Sequence, residues 1–145
     1  MDREVILAIK GLHSAEESDH VKVATETPAQ YFKKNDSHYL LYEETVEGFD
    51  KISKNRIKFT KNCLELTRKG IVDTHMIFEE KKTHMTDYVT PYGKVLLGVR
   101  TEKIVVRDWA ERIQVTVEYV LEMDEKPLSE CKMTIEIKER KKPVI

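Results

Sequence analysis

The sequence predicts an all-β protein, folded as one antiparallel β-barrel of about eight to ten strands. Three observations carry that expectation. Hydrophobic residues recur with a period of two, most cleanly at Ile113, Val115, Val117, Tyr119, Leu121 and Met123, which alternate with Gln114, Thr116, Glu118 and Glu122. Short polar turns separate such runs, as at Asn35-Asp36-Ser37, Lys61-Asn62, Lys69-Gly70 and Asp124-Glu125-Lys126-Pro127. No window shows the capped i, i+3, i+4 apolar stripe of a long helix. Side chains on a strand alternate faces, and short turns make neighbouring strands antiparallel. A closed or nearly closed barrel buries every apolar face and removes exposed edges; a two-sheet sandwich is the runner-up.

The elements follow in order. Val5, Leu7 and Ile9 open the chain as a strand, and Gly11 to Asp19 reads as a polar turn region; a short helical turn near Ser14 to Ser18 or around Trp109-Ala110 is the only helix expected. His20 to Thr27 resumes period two, Pro28 interrupts, and Tyr31-Phe32 leads a short strand to the Asn35 turn. His38 to Val46 is rich in tyrosine, leucine and β-branched residues, which suit a pleated, half-buried surface. Arg56 to Thr60 and Leu64 to Arg68 form a hairpin around Lys61-Asn62, and Ile71 to Glu80 pairs with Thr83 to Val89 through Lys81-Lys82. Thr90-Pro91-Tyr92-Gly93 is the sharpest turn: Pro91 pre-sets φ and Gly93 can take a positive φ. Lys94 to Val106 follows, with a bend expected near Gly98, then Arg112 to Met123 and the Met133, Ile135, Ile137 strand.

A length of 145 residues gives one domain spanning the whole chain. Lys+Arg at 25 against Asp+Glu at 26 leaves a formal charge of -1, which argues against nucleic-acid or membrane binding through net charge. Asp2, Arg3 and Glu4 interrupt any apolar leader, and no apolar run approaches the roughly 20 residues that cross a bilayer, so a cytoplasmic protein with no membrane contact is expected. Cys63 and Cys131 belong to no CxxC pair, and reduced thiols are expected.

Tyr42-Glu43-Glu44, Arg68-Lys69-Gly70, Tyr88-Val-Thr-Pro-Tyr-Gly93, Val99-Arg-Thr101 and Val117-Glu-Tyr119, in this order and spacing, resemble the YwiB-type family of small bacterial proteins. The resemblance runs from about Tyr31 to the last strand, and its sharpest motif is the Y-x-T-P-Y-G turn. It implies a calycin (lipocalin-like) barrel in a bacterial cytoplasm, and it implies no activity.

Barrels of this size either fill with side chains or enclose one small ligand. Arg68 has the parity of Leu64 and Leu66, so an inward-facing strand carries an always-charged guanidinium that needs an anionic partner. Glu44, in phase with Leu40 and Tyr42, is the first candidate, and Glu43 replaces it if the register shifts. Arg68 with a glutamate would orient the polar end of a ligand; a structural ion pair is the ordinary alternative. Tyr119 reads as a core tyrosine or a ligand contact, and Tyr92 as a cover over a barrel mouth or packing on its own turn.

Catalysis finds little support, because no GxSxG, P-loop or Cys–His context is present. His13, His20, His38, His75 and His84 form no ligand spacing, so no metal or other cofactor is expected. The first functional expectation is non-catalytic binding of a small amphipathic ligand by a monomer or homodimer. The alternative is a protein- or RNA-interaction module on an outer face, where Tyr39, Tyr42 and Phe59 interleave with Lys51, Lys54, Arg56, Lys58 and Lys61.

Overall fold

Among the described residues of the computed structural model (3–11, 26–45, 52–70, 73–90 and 93–140, without the side chains of 88–90) ten strands follow one another. They are β1 (Arg3–Lys10), β2 (Glu26–Lys34), β3 (Ser37–Thr45), β4 (Ile52–Phe59), β5 (Cys63–Lys69), β6 (Thr74–Glu79), β7 (Thr83–Thr90), β8 (Gly93–Trp109), β9 (Arg112–Met123) and β10 (Lys126–Glu139). Their order in the single sheet is β6-β5-β4-β3-β2-β1-β10-β9-β8-β7, and every ladder is antiparallel. The sheet curls into the nearly closed, calycin-like barrel that the alternation predicts. No helix in the described residues is long and apolar enough to cross a membrane. The expected helical turn near Ser14 and most of the His20 strand lie outside the described residues.

The turns have the chemistry that tight hairpins need. Asp124 and Glu125, the two residues between β9 and β10, both have positive φ (53° and 62°), which matches the right-handed twist of the flanking strands. Asn35 at the β2–β3 turn has φ 56°, a conformation asparagine tolerates better than most residues. The β7–β8 ladder runs from Thr83↔Arg100 to Thr90↔Gly93, where Gly93 has φ 138°; residues 91 and 92 at its tip lie outside the described residues. β8 passes straight through Gly98, and its register shift falls between Thr101 and Lys103 instead of at the glycine.

Pro28 does not end a strand, as its sequence position suggested; it lies inside β2 and pairs with Ile6 of β1. The β2–β3 ladder stops at Gln30↔Leu41, so Pro28 sits where β2 has a single partner and a missing N–H is tolerated. Beyond that point β2 stays with β1 and β3 stays with β4. The wall of the barrel forks there.

The second difference is the β6–β7 junction. A hairpin ladder through Lys81-Lys82 was expected, and none forms among the described residues. Lys81 takes φ 62°, its N–H donates to the Thr101 carbonyl at 2.8 Å, and Thr101 N–H donates to the Lys82 carbonyl at 3.1 Å. β8 thus holds the turn and the two strands splay into a seam. Side chains bridge it: Thr86 Oγ1 donates to the His75 carbonyl, and His84 Nε2 donates to Glu79 Oε1 at 2.8 Å. His84 and Lys82 together hold the Glu79 carboxyl below its usual range.

Inward residues of β3–β6 stack in cross-strand layers. His38–Phe59–Leu64–Phe78 forms one, and Leu40–Ile57–Leu66–Met76 the next. Phe78 meets Tyr119 of β9 edge-on, with centroids 4.9 Å apart, so aromatic rings fill the waist of the barrel. In the first layer His38 stacks on Phe59 at 4.5 Å and its Nδ1 lies 2.7 Å from Tyr31 Oη. Burial pushes the Tyr31 phenol above its usual value, so the phenol keeps its proton, and the His38 tautomer sets which of the two groups donates.

Burial first, then Lys33, lowers the His38 pKa below 6.5, while Asp108 opposes them. The unfolded chain therefore takes up this proton at a higher pH than the folded one. The stability from neutral, buried His38 is complete above about pH 6.5 and is lost as pH falls below it towards the depressed folded value. Urea midpoints are expected to fall more between about pH 7.5 and 5.5 for the native chain than for His38→Phe, which keeps a ring on Phe59 but cannot titrate. Equal falls would remove His38 from the account.

Candidate functional site

The layer above Leu40–Ile57–Leu66–Met76 changes character. It is Tyr42–Asn55–Arg68–Thr74, one residue from each of four successive strands in direct register. Strand period two places these side chains inward, because Tyr42 is in phase with Leu40, Asn55 with Ile57, Arg68 with Leu66 and Thr74 with Met76. Past it, Glu44 stands opposite Ser53. A polar layer therefore sits on an apolar one at the end of the barrel where β3, β5 and β8 meet their ends or turns.

The polar groups are only partly matched. Asn55 Nδ2 donates to Glu44 Oε1 at 2.6 Å, and Ser53 Oγ donates to Asn55 Oδ1 at 2.7 Å. Arg68 Nε is 4.0 Å from Glu44 Oε1, at the limit of an ion pair, and both side chains keep contact with solvent. So loose and part-exposed a pair stabilises by about 0–1 kcal/mol. Arg68 Nε and Thr74 Oγ1 are buried without a hydrogen-bond partner among the described residues; Tyr42 Oη misses ideal hydrogen-bond geometry but lies close enough to Arg68 and Asn55 for both to act on its phenol. Burial, opposed by the Arg68 charge, pushes the Tyr42 phenol up to about 12, so its O–H stays a donor at neutral pH.

The fork between β2 and β3 leads to this layer. A cleft of about 660 Å³ there is lined by Pro28, Ala29, Gln30, Leu41 and Lys54, and reaches Tyr42 and Asn55. Glu4 and Arg140, 3.6 Å apart, stand at its edge.

Of the residues singled out from sequence, Arg68 and Glu44 come together in the barrel end. The register places Glu44 at the inward layer and Glu43 on the outside opposite Lys54, where both Glu43 and Lys54 line the cleft. Tyr119 is elsewhere: it is buried at the waist between Thr101 and Cys131, and burial and then Cys131 drive its phenol well above the usual range. Tyr92 lies outside the described residues. Asn55, Ser53 and Thr74 were missed, although their phase with Ile57, Phe59 and Met76 marks them as inward polar positions. Cys63 and Cys131 are free thiols, and burial, followed by Glu79 and Glu65, raises the Cys63 pKa, which disfavours its thiolate. Among the described residues no three His, Cys, Asp or Glu side chains gather as a metal-ligand set.

No curated protein matches the chain. A crystal structure of the ywiB protein from Bacillus subtilis matches it with a TM-score of 0.80 at 18% identity, covering 97% of this chain and 94% of that one. Identity so low speaks for the fold alone. The family model described as "Domain of unknown function (DUF1934)" matches residues 7–135. Consistent with the YwiB-type motifs and the barrel, the chain belongs to the DUF1934 family.

Proposed function

We propose that this protein binds, without catalysis, a small amphipathic molecule whose acceptor-rich polar end, such as a carboxylate, sits on the Tyr42–Asn55–Arg68–Thr74 layer. The observation that carries this reading is a single inward layer in which Arg68 Nε and Thr74 Oγ1 are buried and unmatched among the described residues, beside the protonated Tyr42 phenol. A buried donor without a partner costs about 1–3 kcal/mol, which favours an occupant that supplies an acceptor. An acceptor that satisfies such a donor recovers that free energy on binding. Arg68 presents a planar fork suited to a carboxylate, and Tyr42 adds a protonated phenol. The apolar part of the ligand lies against Pro28, Ala29 and Leu41 in the cleft, which gives the occupant an amphipathic character.

Native mass spectrometry of protein purified from its own host tests this, followed by mild denaturation and identification of what is released. A stoichiometric small molecule bearing an acceptor group is expected. Arg68→Met should reduce its occupancy at least about tenfold, the loss of one charge-assisted contact. The same variant should lie within about 1 kcal/mol of the native chain in stability, because the Arg68–Glu44 pair is loose. A bare mass for the native chain, before and after incubation with host extract, would overturn the proposal.

A further inference from the structure

The outward face of β2–β5 is built differently from a merely solvated sheet, and it shares no side chain with the inward polar layer. Phe32 and Tyr39, directly paired across β2 and β3, point outward with their rings stacked 4.8 Å apart and 8° from parallel. Lys58, paired with Tyr39 on the other side, brings Nζ to 5.6 Å from the tyrosine ring centroid. This is one cross-strand row of two half-exposed aromatic planes ending in a cation.

The neighbouring rows continue the positive charge. Lys54, Arg56 and Lys58 alternate along the outside of β4 at a spacing of about 6.6 Å, close to the phosphate repeat of an extended single strand. Lys54 stands directly opposite Lys69 of β5. Like charges facing one another across two strands destabilise a sheet, so this pairing is not explained by folding. Among the described residues neither Lys54, Arg56 nor Lys69 has an ion-pair partner within 4.0 Å. Glu26, Glu43 and Glu65 are the acids of this face against Lys34, Lys54, Arg56, Lys58 and Lys69, which leaves it positive on a chain whose net charge is -1.

We propose that this face docks single-stranded nucleic acid, with bases stacking on Phe32 and Tyr39 and phosphates held by Lys54, Arg56, Lys58 and Lys69. Aromatic planes set among unpaired cations are what a flexible, unpaired strand needs: its bases are free to stack and its backbone is a regular anion. A duplex hides its bases and cannot use the aromatic row. An acidic protein surface would use the cations but gains nothing specific from two parallel rings.

Fluorescence anisotropy with a labelled oligouridine of about 12 nucleotides tests the proposal, since one such strand spans a site of this size. Four phosphate contacts predict an affinity about 50-fold weaker at 200 mM than at 50 mM salt, from a slope of about 0.7 per contact. Tyr39→Ala should weaken binding about tenfold, and Tyr39→Phe should retain it, because stacking needs the ring and not the hydroxyl. Lys69→Glu separates binding from folding: relief of the Lys54–Lys69 repulsion raises Tm while the affinity falls. The proposal is overturned by no binding at 50 mM salt, by equal binding of a duplex of the same length, or by Tyr39→Ala binding like the native chain. Binding of an acidic polypeptide such as polyglutamate in place of the oligouridine would likewise overturn it, in favour of a protein partner.

Discussion

Phe78→Ala is expected to destabilise the protein by about 3–5 kcal/mol. Phe78 is fully buried in β6, its layer-mates are Leu64, Phe59 and His38, and its ring meets Tyr119 of β9 edge-on. Removing it deletes a large buried apolar surface and leaves a cavity that flanking strands cannot fill without breaking their ladders. A second effect compounds the first. Among the described residues β6 has no ladder to β7, so apart from the turn bonds to Thr101 its outer edge is held to the rest of the barrel by side chains, and Phe78 is the largest of them. Chemical denaturation should report most of a typical domain stability lost, with Tm lower by roughly 10 °C or more. A loss below about 1 kcal/mol would mean that the waist repacks and that Phe78 does not plug it.

Gly11→Ala is the second large effect, and its origin is backbone rather than core. Gly11 ends the β1 segment with φ +77°, and a Cβ built on it would lie 2.2 Å from the Lys132 carbonyl oxygen of β10. An L-residue in this region of φ carries a conformational penalty of about 1–2 kcal/mol. The clash adds to it, because the obstacle is main chain within the β9–β10–β1 sheet and cannot turn aside. A destabilisation of about 2–4 kcal/mol is expected. Gly98→Ala is the control: its nearest obstacle is the Met85 sulfur at 3.3 Å, the far end of a flexible side chain, and its φ is ordinary. Equal losses in the two variants would locate the effect in general strand sensitivity instead of the Gly11 approach.

The alternation that made the fold class legible is a local property, and the features that escaped are those decided by distant partners. Val115, Val117 and Tyr119 announce an inward face by spacing alone, and they occupy one. Arg68 and Glu44 could be matched from parity because both lie in strands with clear apolar phase. Asn55 and Ser53 carry the same parity, but polar residues in phase with Ile57 and Phe59 look like breaks in a pattern until the register sets them beside Arg68 and Glu44. The choice between Glu43 and Glu44 likewise rested on register. Lys81-Lys82 does belong to a tight turn, with Lys82 N–H donating to the Glu79 carbonyl at 3.1 Å, but the ladder expected beyond it is replaced by backbone bonds to Thr101, some twenty residues away. Pro28 gave a true signal with a wrong target: it marks the end of β2's pairing with β3, not the end of β2.

The order of the ladders also determines how the chain can assemble. Among the described residues every pairing but one joins strands adjacent in sequence, so β1 to β6 and β7 to β10 can each zip up through local steps with little loop-closure entropy. The exception is the β1–β10 ladder, from Val5↔Glu139 to Lys10↔Thr134. Its contacts span most of the chain, and such non-local pairing is the slow element in β-rich folding. The mid-chain seam contributes no competing ladder of its own. On contact order alone the two meanders are expected to form before β1 latches onto β10, and a substitution that weakens the β1–β10 ladder should change the folding rate less than the unfolding rate.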